Sequence, residues 1–238
     1  MPLVVAANRD EFLARPTAPP GILRSDRPCA FGGRDLVAEG TWLGVNESGL
    51  VAGMLNRRTS ALLDPDCRSR GQLCLDMLGH ARAVEAAAAA VKEPADRYNP
   101  FNLLVADAHD GLVVTHGSGE ASHLVRLDRG LHLLTNLDLN DPRCPRIAAS
   151  QQAFAAAGDG FARDGDRAAF VARLAAVLAD HTTPLDPRGP GGLCVHGDGY
   201  GTRSSSVILV GRSGDVLGYH HADGPPCRTR LDPVALPF

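Results

Sequence analysis

The chain has 238 residues, 44% of them hydrophobic and 21% charged, with a net charge of -3. That length supports a sizeable core, and the near-neutral balance with no Lys/Arg run argues against a nucleic-acid partner. No apolar stretch approaches the roughly 20 residues that span a bilayer, and the first residues lack the basic segment and cleavage pattern of a secretory signal. The expectation is a cytoplasmic protein without a membrane span, acting on a small molecule.

In chain order, Leu3-Val4-Val5-Ala6-Ala7 reads as a buried strand, and Asn8-Arg9-Asp10-Glu11 at its exit puts an amide, a guanidinium and two carboxylates within one turn. The tetrapeptide alone leaves two readings open. It is either a strand-end turn, with Asn8 and Asp10 bonding nearby backbone and Arg9 pairing with Glu11, or the polar wall of a site. Residues 13 to 34 hold Pro16, Pro19, Pro20, Pro28 and Gly32-Gly33, which predict an ordered loop over a sheet edge, a candidate lid. Thr41 to Val45 and Leu50 to Leu55 flank Asn46-Glu47-Ser48-Gly49 and predict a hairpin, with Gly49 free to take the positive φ of the turn.

From Ser69 to about Lys92 the pattern turns helical, with Leu73, Met77, Val84 and Val91 on a rough stripe and Gly79 as a break. Phe101 to Ala106 and Leu112 to Thr115 predict a second hairpin, and shorter strands follow at 123 to 127 and 131 to 135. Helices are expected at about 143 to 157 and 166 to 180, then a Pro/Gly-rich loop over 181 to 201. Strands at Ser205 to Val210 and Val216 to His221 end the series. Hairpins interspersed with two helical blocks suggest an α+β, four-layer αββα sandwich of two antiparallel sheets, and no repeat or composition shift divides 1 to 238 into more than one domain.

Six scattered cysteines without a Cys-x-x-Cys pair read as reduced thiols, and nine histidines show no spacing that puts two ligands beside a carboxylate on one helical face, so no metal is expected. Gly197-Asp198-Gly199-Tyr200-Gly201 precedes a strand rather than a helix, which excludes a dinucleotide loop. In Tyr200-Gly201-Thr202-Arg203-Ser204-Ser205-Ser206 an arginine and hydroxyls crowd the start of an apolar strand; they either satisfy an edge or face a ligand. Asn56, Asn102 and Asn136 lie at or in apolar strands, where a buried amide either secures loops or donates to an oxyanion. Trp42, the sole tryptophan, is read as core in preference to a stacking platform.

These segments together resemble the NRDE family, named for Asn-Arg-Asp-Glu and known also as the transport and Golgi organisation family. The likeness runs through Ala6 to Phe12 with Arg15-Pro16, Gly40 to Gly44, Ser69-Arg70-Gly71, Asn99 to Leu103, Thr135-Asn136 and Tyr200 to Ser205. It covers nearly the whole chain. The resemblance implies an N-terminal-nucleophile-hydrolase-like (Ntn) fold, in which the first residue of the mature chain, commonly Cys, attacks an amide or ester carbonyl while its own amine serves as base.

By likeness to the bile-salt and penicillin acylase branch, Asp10 would orient that amine and Arg9 would sit beside the nucleophile. Asn56 and Asn136 would donate to the oxyanion, and Arg203 would bind charge. Asn8, Glu11, Trp42, Asn102, Tyr200, Thr202 and Ser204 complete the expected substrate wall. Family members usually begin Met-Cys, one strand ahead of the strand leading to Asn-Arg-Asp-Glu, whereas this chain begins Met1-Pro2 within that second strand. As written it lacks the family's first strand and nucleophile, and as written it is expected to be inactive.

The resulting expectation is an acylase or amidohydrolase-type site for a small amide or thioester, with no cofactor. The alternative is a non-catalytic haem or acyl-coenzyme A trafficking protein. Its axial ligand would come from Cys194, His196, His220 or His221, and its basic groups from Arg57, Arg58, Arg68 or Arg70.

Overall fold

In the computed structural model, which describes residues 1–94, 96–117, 121–181 and 192–238, the N-terminal apolar run forms β1 (Leu3–Phe12). Seven strands then follow as an antiparallel meander in chain order: β2 (Thr17–Arg24), β3 (Ala30–Asp35), β4 (Leu43–Asn46), β5 (Val51–Asn56), β6 (Phe101–Ala106), β7 (Gly111–His116) and β8 (His123–Arg126). Between β5 and β6 the chain forms α1 (Arg70–Met77) and α2 (Ala83–Val91). After β8 come α3 (Pro145–Asp164) and α4 (Arg167–Leu178), then β9 (Tyr200–Val210), β10 (Val216–Ala222) and the short β11 (Asp232–Pro233). The second sheet has the order β1-β9-β10-β11, so the first and last parts of the chain close on each other.

The period of two along β1 explains the layering. Leu3, Val5 and Ala7 pack with Phe31, Leu43, Val45, Val51, Ile208, Val210 and Tyr219 between the sheets. Val4 and Ala6 pack with Phe170, Val171, Leu174 and Leu178 of α4. A strand apolar on both faces has to be covered on both. On the far side of the seven-stranded sheet, α1 and α2 cover Leu103, Val105 and Val114. The result is the αββα sandwich expected from the sequence.

Local signals set most boundaries. Ser69 accepts from the Gly71 amide at the start of α1, Asp166 accepts from the Ala168 and Ala169 amides at the start of α4, and Gly165 ends α3 in the left-handed region at φ +63°. Gly49, at φ +76°, makes the β4–β5 turn as its sequence predicts. In α2 the buried face is Ala83, Ala86, Ala87 and Ala90, while Val84 of the predicted stripe is exposed. Small side chains let this helix lie close on its sheet.

Two expectations need correction. Residues 13 to 34 are no lid: they form β2 and most of β3. The prolines are tolerated because β2 is an edge strand, where a missing N–H breaks no ladder bond. Gly32 and Gly33 are required by close packing, since a Cβ would lie 2.5 Å from the Leu43 carbonyl oxygen and 2.2 Å from the Trp42 ring respectively. Residues 131 to 135 form no strand; the Leu133 amide and carbonyl bond instead to the Asn140 side chain and amide. The predicted loop over 181 to 201 falls partly outside the described residues, at 182–191, and its end from Tyr200 belongs to β9.

Candidate functional site

The motif Asn8-Arg9-Asp10-Glu11 continues the alternation of β1, so its side chains part to opposite faces. Toward the other sheet, the Arg9 guanidinium lies over the Trp42 ring, 4.1 Å from its centroid, and 3.7 Å from both Glu11 and Asp35. Arg15 donates Nε to Asp35 at 2.7 Å and sits 3.8 Å from Glu11. Burial pulls the Arg9 pKa down, opposed by Glu11 and Asp35. Burial alone would raise Asp35, but the Arg15 hydrogen bond and the Ala38 and Val37 amides outweigh it and hold the carboxyl below its ordinary range.

A β-bulge brings in Arg203. The β1–β9 register pairs Arg9 with Ser204 and then Asp10 with Thr202, leaving Arg203 as the extra residue. Its guanidinium crosses to the other sheet, donating to the Leu13 carbonyl at 3.0 Å and to Thr17 Oγ1 at 3.2 Å. Arg9 Nη1 and Arg203 Nε are buried without a hydrogen-bond partner among the described residues. Three guanidiniums thus meet two carboxylates against the Trp42 ring, a net positive cluster with unspent donors. Ser204 is buried nearby in β9, and Tyr200 stands half exposed at the strand's start, edge-on to Phe12 at 5.4 Å.

Toward the helices the same motif is fully engaged. Asn8 donates to the Leu178 and Leu193 carbonyls at 2.9 and 3.0 Å and accepts from Ser205 Oγ. Asp10 accepts from Thr202 Oγ1 at 2.7 Å and pairs with Arg146 of α3 at 2.8 Å. Asp10 and Thr202 are therefore together, but on the other face of the strand from Arg9, Glu11, Trp42 and Arg203.

The three asparagines differ in burial, although the Arg58 amide donates to the Asn136 carbonyl at 2.7 Å and so brings the segments of Asn56 and Asn136 together. Asn102 is buried and spends both amide hydrogens on the Thr135 and Leu137 carbonyls, at 2.9 and 2.6 Å, so it secures the loop after β8. Asn56 and Asn136 are exposed, contrary to the expectation of buried amides, because β5 ends at Asn56 and no strand forms around Asn136. Alternation along β5 further puts Asn56 on the face of Ala52 and Met54, toward α1 and α2.

Among the proposed coenzyme-binding arginines, Arg57 pairs with Asp138, Arg68 with Asp76 and Tyr98, and Arg70 donates to the Pro100 carbonyl. His221 is buried against Ser206 Oγ, 2.9 Å from Nδ1. Cys194 and His196 lie beside Cys227, and burial with the Cys227 contact pushes the Cys194 thiol up to about 11. A groove of about 990 Å³ runs along Met1 to Ala6, walled by Leu104, Val113, Leu131, Phe154 and Phe170. None of the four proposed axial ligands lines it, although His109 and His132 do.

Sequence reasoning missed Asp35 and Arg146, which close the two halves of the motif. Neither carries a local signal, since each reaches β1 across the fold; Arg15 is present in the sequence resemblance but without an assigned role.

The sequence profile described as Transport and Golgi organisation 2 matches residues 1–221. The chain is 32% identical over 243 residues to the Bos taurus Transport and Golgi organization protein 2 homolog, and 30% over 236 residues to the Homo sapiens one. Each alignment covers 90% of this chain and 84% of the relative. Among solved structures, penicillin V acylase from Agrobacterium tumefaciens is similar at TM-score 0.60 and 15% identity, over 92% of this chain and 78% of that one. The Caenorhabditis elegans ortholog of N-acylethanolamine-hydrolyzing acid amidase is similar at TM-score 0.58 and 16% identity, over 87% of each chain. At such identities the likeness shows the fold, which is that of the Ntn-hydrolase acylases.

Proposed function

The chain belongs to the Transport and Golgi organisation 2 family, and from that premise we propose an acylase-type site acting on a small amide or thioester that carries an anionic group. The observation that carries this reading is the pair of buried donors, Arg9 Nη1 and Arg203 Nε, unpartnered among the described residues, in a cluster where three guanidiniums meet two carboxylates. A buried donor left unmade is costly, so its persistence favours a ligand that completes it.

In acyl transfer a nucleophile adds to the carbonyl carbon, negative charge collects on the carbonyl oxygen, and collapse expels the amine or thiol. Arg9 and Arg203 would hold either that oxyanion or a carboxylate or phosphate on the substrate. Trp42 keeps the Arg9 guanidinium flat and in place. Asp10, braced by Arg146 and Thr202, would fix the strand from behind. The attacking group, by analogy with the fold, is the first residue of the mature protein.

The test takes the protein from its natural source, determines its intact mass and N-terminal residue, and treats it with an electrophilic acyl probe and a panel of N-acyl amides and acyl thioesters. One adduct on the first residue is expected, with turnover falling about 10²- to 10³-fold in Arg9→Met and Arg203→Met. The absence of both adduct and turnover would sink the reading.

A second reading, a non-catalytic carrier of haem or acyl-coenzyme A, is favoured by the groove of about 990 Å³ along β1, large enough for a flat or chain-like ligand and lined by both apolar and charged side chains. A saturable Soret shift on haem titration, in protein devoid of turnover, would move the assignment there.

A further inference from the structure

Away from the Arg9 cluster, three metal-ligating side chains from three separate segments come together, and a fourth, Cys194, lies against two of them. His181 follows α4, Cys194 and His196 lie on the approach to β9, and Cys227 follows β10. His196 Nε2 faces two sulfurs at once, Cys227 Sγ at 3.2 Å and Cys194 Sγ at 3.6 Å, and the two sulfurs are themselves 3.6 Å apart. The donor atoms of His181, His196 and Cys227 all lie within 4.8 Å of one another. The rings of His181 and His196 meet edge to face at 5.3 Å.

We propose that Cys194, His196, Cys227 and His181 form a Cys2His2 site for a zinc-class divalent cation. Zinc holds sulfur at about 2.3 Å and imidazole nitrogen at about 2.0–2.1 Å in a tetrahedron. The edges of that tetrahedron are about 3.8 Å between sulfurs and about 3.6 Å between sulfur and nitrogen. The three distances at Cys194, His196 and Cys227 match those edges to within about 0.4 Å. Soft thiolate with imidazole in this ratio selects zinc over the hard cations magnesium and calcium.

The surroundings also suit ligation. His181 Nδ1 lies 3.0 Å from the Ala179 carbonyl, which only accepts, so Nδ1 carries the proton and Nε2 the lone pair. The Cys194 amide donates to the Asp180 carbonyl at 2.8 Å, tying the segment of one ligand to that of another. The alternative is a plain thiol–imidazole contact, which would explain one sulfur beside His196 but not two sulfurs and a second imidazole.

With four protein ligands the site is structural. It cross-links the end of α4 and the loop after β10 to the segment whose Val195 amide donates to Thr202 Oγ1, the hydroxyl that holds Asp10.

The experiment uses the whole chain, purified under reducing conditions without chelator. Elemental analysis should find about one zinc per chain. After chelation, titration with Co²⁺ should saturate at one equivalent, giving the intense visible bands of a tetrahedral site and a thiolate-to-cobalt charge-transfer band. Cys194→Ser and Cys227→Ser should each abolish the charge transfer contributed by that sulfur and weaken binding by more than the about 10- to 100-fold typical of outer-shell changes. His181→Ala should weaken binding and turn the spectrum toward a water-bound form. Because a variant could misfold, the unmodified protein supplies a second readout: its unfolding midpoint should fall on chelation and return with zinc. The proposal is overturned by substoichiometric metal with no saturable cobalt–thiolate band, by binding indifferent to both cysteine substitutions, or by a Cys194–Cys227 disulfide in the reduced preparation.

Discussion

The two faces of β1 carry the same motif to different ends. Toward the helices, Asn8 and Asp10 meet fixed partners: two carbonyls, Ser205 and Thr202 hydroxyls, and the Arg146 guanidinium. Toward the other sheet, Arg9 meets Glu11 and Asp35 only at 3.7 Å and keeps a buried nitrogen unpartnered among the described residues. Arg146 Nε on the helical side is likewise buried without a partner among the described residues, so the contrast lies in Asn8 and Asp10 being satisfied while Arg9 is not, and an unsatisfied buried donor is a liability to stability. One strand therefore anchors the helical layer with one side, and with the other offers the group to which the proposed function gives a binding role.

The strongest way to break that contrast is on the helical side. Asn8→Ala leaves the Leu178 and Leu193 carbonyls without their donor, and urea unfolding should show a loss of about 2–3 kcal/mol. If the loss is negligible, the helical face is not the anchor described. Next comes Gly33→Ala, whose Cβ would overlap the Trp42 ring. Overpacking of this kind costs about 1–3 kcal/mol, and it should displace the ring from Arg9. Trp42 is the sole tryptophan, so its fluorescence reports that displacement directly.

On the side of the other sheet the effects on stability should be smaller. Arg9→Met is expected to cost about 1 kcal/mol, well below the ~3–5 kcal/mol of stripping a buried charge of its sole partner, because Arg15 still faces both Asp35 and Glu11. The same variant should lose binding of anionic ligands. A large destabilisation would mean that Arg9 is structural after all.

The smallest effect sought is a pH dependence. The folded pKa of Asp35 lies below its unfolded value, so its contribution is present above about pH 3.9 and is lost as pH falls through the folded pKa. Acid unfolding curves of Asp35→Asn should therefore be flatter below about pH 4 than those of the parent. Identical curves would remove Arg15–Asp35 from the account.

Much of the architecture was legible because its signals are local. A turn glycine at Gly49, the N-caps Ser69 and Asp166, and the apolar runs of β1, β6 and β9 each declare themselves within a few residues. The prolines of β2 misled because edge position, which makes them harmless, is a property of the sheet and not of the segment. Asn56 and Asn136 misled because the end of a strand cannot be placed to the residue by composition, and one residue decides between a buried and an exposed amide.

What the sequence by itself determined is the family in which the chain belongs, the two-sheet layering and most of the strands and helices; it did not place Asn8 to Glu11 inside β1, where alternation parts Arg9 from Asp10, nor β2 and β3 in residues read as a loop. What only the tertiary structure decided is which distant groups meet: Asp35 and Trp42 on one face of β1, Arg146 on the other, and Cys227 beside Cys194 and His196. The reason is physical. Periodicity and capping act over the few residues that share a turn or a strand, whereas these encounters depend on how whole layers stack, and no short window of sequence records that.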